Sequence, residues 1–178
     1  FLMFDELEAL QTMLVEQRLS RDCLDFLSSI DQHYPNVALL FASTLHPDEL
    51  GVDWASVFGG APTKLINMSA LNESEARRLI VSPLPDFPLG FQARAVDRIL
   101  VETGRHPYLL QLVCSETVQY ANERQISRIT LSDIEHILMQ ALWSGEAYFR
   151  FLWHTASSSG QALLQSLAAS DAPIPVTG

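Results

Sequence analysis

Hydrophobic and polar positions follow one pattern in the first third of this chain and another in the rest. Phe1-Leu2-Met3-Phe4 is an unbroken apolar run, the mark of a strand buried within a parallel sheet. Leu7, Leu10, Leu14, Leu24, Leu27 and Ile30 then recur at helical spacing, with Ser20 or Asp22 placed to divide the stretch into two helices. Tyr34-Pro35-Asn36 ends it. A second apolar run, Val37 to Ala42, stops at Ser43-Thr44. Strand, helix, strand is the βαβ pattern of a parallel α/β sheet. Residues 45–63, rich in Pro, Gly and Asp, read mostly as loop, and Lys64 to Met68 as a third short strand.

From Ser69 onward the spacing is helical, and no further strand is expected. Asn72-Glu73-Ser74-Glu75 has the form of a capping box opening a helix that holds Ala76, Leu79 and Ile80. Pro83, Pro85 and Pro88 make a stiff connector. Ala93, Val96, Ile99 and Leu100 mark a helix ending near Gly104, and Pro107 suits the first turn of the next. Thr130 followed by Asp133 predicts an N-cap with an acidic first turn. Tyr148, Phe149, Leu152 and Trp153 continue an amphipathic helix, Ser157 to Gly160 forms a turn, and residues 161–169 start another helix before Pro173 and Pro175. The expected organisation is an α/β part over 1–69, an all-helical part over 70–145 and a further helical unit starting at 146.

Composition narrows the function classes. Of 178 residues, 48% are hydrophobic and 18% charged, an ordinary folded composition. The formal net charge of -10 disfavours a broad electrostatic footprint for DNA. No apolar run reaches membrane-spanning length. Cys23 and Cys114 read as buried thiols of a reducing, cytoplasmic compartment. They have no CxxC partner, and His33, His46, His136 and His154 lack metal-ligand spacing.

The chemistry is concentrated where the first strand ends. Ligands of parallel α/β sheets sit outside the carboxyl ends of the strands, so Asp5 and Glu6 are expected to face a ligand crevice. An acid beside a phosphate site can hold Mg²⁺, and a second can activate the attacking water. Acids also favour the first turn of a helix, which is the alternative for Glu6 and Glu8.

Taken in order, these segments resemble STAND-type ATPases, the archaeal-ATPase-like branch of the AAA+-related P-loop NTPases. Phe1 to Glu6 is similar to Walker B, and Val37 to Thr44 to the sensor-1 strand. Lys64 to Leu71 with Glu75, Arg77 and Leu79 resembles the fifth strand leading into the helical lid. Gly104-Arg105-His106-Pro107-Tyr108-Leu109-Leu110-Gln111 resembles the lid helix that faces the nucleotide. Residues 146–169 resemble the opening helices of a winged-helix domain. The phosphate loop G-x-x-x-x-G-K-[ST] does not occur in these residues and is expected upstream of Phe1.

The resemblance implies the second half of a parallel P-loop NTPase sheet, then a helical lid, then the start of a winged helix. It implies ATP/ADP and Mg²⁺ as ligands, hydrolysis of ATP in the full protein, and no catalysis by this portion alone. Asp5 would support Mg²⁺ and Glu6 would polarise water. Ser43 or Thr44 would sense the γ-phosphate, unless they form an ordinary strand-end turn. Pro107 would lie against the nucleotide. Arg105 stands where relatives often carry Gly, and is either a phosphate-reaching group or a solvated loop arginine. His106 is either a titrating switch or a structural cap. Two other readings are a DNA-associated AAA+ ATPase using its winged helix, which the acidic charge disfavours, and a degenerate NTPase fold serving as a protein-interaction scaffold. The family's sheet order, 5-1-4-3-2, places an absent strand between residues 37–42 and 64–68. Those two segments are therefore expected not to ladder directly, with the gap filled by the upstream half, a swapped copy or another chain.

Overall fold

The first apolar run pairs with the second. Leu2–Phe4 (β1) and Leu39–Phe41 (β2) form a parallel ladder with Leu2 opposite Leu39, Met3 opposite Leu40 and Phe4 opposite Phe41. The computed structural model describes residues 1–59 and 63–169, which divide into one unit over Phe1–Asn67 and a second from Met68 onward. A parallel pair needs a crossover, and Leu7–Val15 (α1) and Asp22–His33 (α2) supply it. Gln17 turns the chain between them with a left-handed backbone, φ 56°. Ser20 Oγ then accepts the Asp22 N–H at 3.3 Å.

One face of this small sheet is covered. Phe4 and Phe41 stack at 5.3 Å between ring centroids and pack on a core of Leu7, Leu24, Leu27, Ile30, Leu50 and Trp54. The opposite face carries Met3 and Leu40, which are 71% and 51% exposed. Side chains alternate across a strand, so an apolar run of this length needs cover on both faces, and among the described residues only one is covered. Among the described residues, β1 and β2 pair only with each other.

Two expectations for this unit are corrected. Residues 45–59 are less irregular than the loop expected over 45–63, of which 60–62 lie outside the described residues. Two 3-10 turns, Pro47–Glu49 and Val52–Trp54, lead into a short helix, Ala55–Gly59 (α3). Trp54 organises them, fully buried, with its Nε1 donating to Gln11 Oε1 at 2.7 Å and its ring stacked on Phe58. Lys64 to Met68 forms no strand. A ladder needs a neighbour to receive its backbone groups; among the described residues no strand pairs with this segment, and Met68 is 93% exposed. Residues 37–42 and 64–68 are accordingly not laddered to each other.

The second unit is mainly helical: Glu73–Val81 (α4), Ala93–Thr103 (α5), Pro107–Arg124 (α6), Leu131–Ser144 (α7), Glu146–Thr155 (α8) and Ser158–Ala168 (α9). The caps form where the residue types require them. Asn72 Oδ1 accepts the Glu75 N–H at 2.9 Å, and Thr130 and Asp133 make a reciprocal capping box. The core is built from α4 to α7 and the residue pair before α7, with Ile80, Ile99, Leu110, Ile129, Ile134 and Ile137 each at most 1% exposed. Burial of each such side chain contributes about 1.5–3 kcal/mol, so helix packing holds this unit together.

The expectation of an all-helical segment over 70–145 is corrected. Gly90–Phe91 (β3) and Arg128–Ile129 (β4) form a two-residue parallel ladder. Gly90 N donates to Ser127 O and Gln92 N to Ile129 O, each at 2.9 Å. Both segments lead directly into helices, and pairing satisfies backbone groups that the helices cannot.

Both cysteines are free and half-buried, not fully buried as expected. Burial still raises the Cys114 thiol to about 11. α8 and α9 have no buried residues among those described, and Pro173 and Pro175 lie outside the described residues. No helix among the described residues is long and apolar enough to cross a membrane.

Candidate functional site

The β1–β2 ladder continues past both strands. Ala42 N donates to Phe4 O at 2.8 Å and Leu7 N to Ala42 O at 3.1 Å. Asp5-Glu6 and Ser43-Thr44 therefore leave the same end of the sheet side by side, at the carboxyl ends of both strands. Asp5 Oδ1 accepts the Glu6 N–H at 2.9 Å, which leaves its second oxygen for another partner. Glu6 stands at the N-cap of α1 with left-handed backbone, φ 52° and ψ 52°, and its side chain does not cap the helix. The carboxylates of Asp5 and Glu6 are exposed.

Glu8 organises the other half. Located in the first turn of α1, it reaches across to the β2 end. Ser43 Oγ donates to its Oε2 at 2.9 Å and Thr44 Oγ1 to its Oε1 at 2.8 Å. The Thr44 N–H points at both oxygens from 3.4 Å. Leu45 N donates to Ser43 Oγ at 3.0 Å, so the Ser43 hydroxyl proton is directed to Glu8. The carboxyl of Glu8 is held below the usual range, first by its own backbone N–H in the open helical turn, then by the Thr44 hydroxyl, with burial opposing and the Ser43 hydroxyl and Thr44 N–H adding. In the sequence Glu8 reads only as a helix-start acid. Its partners lie 35 and 36 residues away, and no local signal points to them.

The second unit carries the other candidate residues in one turn. Gly104 ends α5 at φ 54°, and Arg105 follows at φ 60°. A left-handed position is what glycine accepts without strain; an arginine occupies it here. Arg105 N donates to Thr103 Oγ1 at 3.3 Å, and Arg105 O accepts the Leu71 N–H at 3.1 Å, tying the turn to the segment before α4. Among the described residues no carboxylate pairs with its guanidinium.

His106 takes the N-cap position of α6 and Pro107 the first helical position. His106 caps through its backbone and not its ring: its carbonyl accepts from Leu110 N at 2.9 Å, while the ring makes no capping bond and lies 6.4 Å from that of Tyr148. Tyr148 on α8 packs on Tyr108 of α6 at 4.1 Å between centroids. Arg105, His106 and Pro107 are all exposed.

Asp5, Glu6, Ser43 and Thr44 thus share one sheet end in the first unit, and Arg105, His106 and Pro107 share one turn of the second. Among the described residues no three His, Cys, Asp or Glu side chains gather as a metal cage. Compared with protein-family models, curated proteins and solved structures, the chain matches none.

Proposed function

We propose that this chain is part of a nucleotide-dependent switch ATPase of the STAND type, and that its first unit belongs to a P-loop NTPase sheet. The observation carrying this reading is the parallel β1–β2 ladder with Asp5-Glu6 and Ser43-Thr44 at one end, the place where α/β sheets take their ligands. The reaction is transfer of the γ-phosphoryl group of ATP to water. Mg²⁺ is commonly bound by one or two carboxylates, water and phosphate oxygens, and the free oxygen of Asp5 fits that demand without a protein cage. Mg²⁺, when bound, neutralises phosphate charge. Glu6, exposed and uncommitted to the helix cap, is the group to orient water. Ser43 and Thr44 offer hydroxyls to the phosphate. On this reading the helices from α4 onward correspond to the lid, with Arg105 and Pro107 as its nucleotide-binding candidates, and α8 and α9 to the first winged-helix elements.

On this reading the phosphate cradle is supplied by residues other than these. The test is therefore made on a longer protein carrying both parts. Glu6→Gln there should keep Mg·ATP affinity within a few-fold and lower turnover at least about tenfold, since general-base groups contribute about 10²–10⁴. Unchanged turnover would reduce Glu6 to a helix-start acid. A second reading, a non-enzymatic scaffold built on the same fold, draws support from the uncovered Met3–Leu40 face. It requires that the longer protein bind no Mg·ATP by calorimetry. A DNA-binding role is disfavoured by the net charge of -10.

A further inference from the structure

Three donors at the end of β2, two hydroxyls and one amide, converge on a single anion. That anion is the chain's own Glu8. Both hydroxyl contacts are short, 2.9 and 2.8 Å, and both carboxylate oxygens are engaged. Such an array of hydroxyl and backbone donors is the kind that receives a phosphate oxygen. Glu8 is held ionised first by its own backbone N–H and then by these contacts, and Asp5 and Glu6 add negative charge at the same sheet end, so an oxyanion enters this crevice only together with a cation.

We propose that Glu8 is an internal competitor for the Ser43 and Thr44 donors, occupying them while the crevice is empty and yielding them to a phosphate oxygen that arrives with a divalent cation. The inference rests on the reading of this sheet end as a phosphate site and adds to it a resting, self-occupied state. Glu8 is a gating residue in this scheme. It needs no contact with the reacting atoms, because it controls whether the sensing hydroxyls are free. Competition of this kind predicts tighter binding on removal of the Glu8 charge; a group that builds the site predicts the opposite.

The experiment uses the same longer protein that carries the phosphate cradle, labelled with ¹⁵N, and Mg²⁺·tripolyphosphate as probe, following the Ser43 and Thr44 amide resonances. Glu8→Gln should lower the concentration for half-maximal shift about tenfold relative to the parent chain. Adding Ser43→Ala and Thr44→Val to Glu8→Gln should abolish the gain. Glu8→Asp, which keeps the charge on a shorter arm unable to span both hydroxyls, should fall between and serves as the second variant if Glu8→Gln does not fold. Equal or weaker binding by the Glu8 variants overturns the competition while leaving the phosphate site standing. No shift at Ser43 or Thr44 in any variant overturns the phosphate site and the competition with it.

Discussion

Tyr120 on α6 donates its hydroxyl to Asp133 Oδ1 on α7 at 2.9 Å, while the other oxygen of Asp133 accepts the Thr130 N–H at 2.8 Å and the Thr130 hydroxyl at 2.6 Å. One carboxylate thus closes the N-terminus of α7 and pins it to the neighbouring helix. Burial alone would raise the Asp133 carboxyl, but the bonds from Thr130 and Tyr120, helped by the Arg124 charge, outweigh it and the net direction is down. The Tyr120 hydroxyl shifts up, chiefly through burial and then through Asp133. A carboxyl lowered in the folded state contributes stability above its unfolded value, and loses it as pH falls through the folded value. Asp133→Asn should therefore cost about 1–2 kcal/mol near neutral pH, and the gap to the parent should close as pH falls below about 4. Urea unfolding at a series of pH values reads this directly. A gap independent of pH would mean that the ionised form is not what holds the cap.

Glu6 carries a backbone strain at φ 52° that glycine does not. Glu6→Gly should raise the stability of the chain by about 0.5–1 kcal/mol, and Glu6→Gln should leave it within about 0.5 kcal/mol. Thermal unfolding of both variants separates the conformation of this position from its chemistry. If glycine destabilises here, the carboxylate has a structural partner.

Gly145 joins α7 to α8 at a close approach. A methyl group there would stand 2.7 Å from Leu112 Cδ2 and 3.0 Å from the Ala141 carbonyl oxygen. Leucine can rotate away, whereas the carbonyl belongs to the helix backbone. Gly145→Ala should cost about 1–3 kcal/mol, measured by urea unfolding, with loss of the Tyr108–Tyr148 contact visible in near-ultraviolet dichroism. A neutral substitution would show that α8 re-seats freely.

Trp54 anchors the turn region of the first unit. Trp54→Ala should cost about 3–5 kcal/mol. Trp54→Phe should cost less, about 1–2 kcal/mol, because the ring volume is largely kept while the Gln11 bond is lost. Equal costs for the two would make the hydrogen bond, and not the packing, the dominant contribution.

Features of long period are legible in the amino-acid sequence. The helices around Ile99, Leu110 and Ile137 repeat their apolar positions over several turns, and Asn72, Pro107 and Thr130 mark starts by side-chain chemistry that acts within three or four residues. Long-range pairings are not legible in the same way. The β3–β4 ladder is two residues long and leaves no periodic trace. Trp54 is buried by a fold of the loop around Gln11, distant in sequence. Leu65, Ile66 and Met68 have the composition of a strand, but composition cannot supply a neighbour. At the candidate site, Asp5, Glu6, Ser43 and Thr44 stand out because acids and hydroxyls at strand ends have a defined place in parallel sheets. Glu8 does not, because its role depends on which side chain lies across the crevice.

The two-residue β3–β4 ladder has a kinetic consequence. It joins Gly90 to Arg128 across a loop containing all of α5 and α6. Closing such a loop costs chain entropy before any contact compensates, so local helices form early and this pairing forms late. The amide protons of Gly90 and Gln92, held by the carbonyls of Ser127 and Ile129 at residues exposed to solvent, then exchange by local opening of the ladder before the helices come apart. Two protons in a ladder of minimal length thereby separate the opening of this seam from the opening of the unit's buried interior.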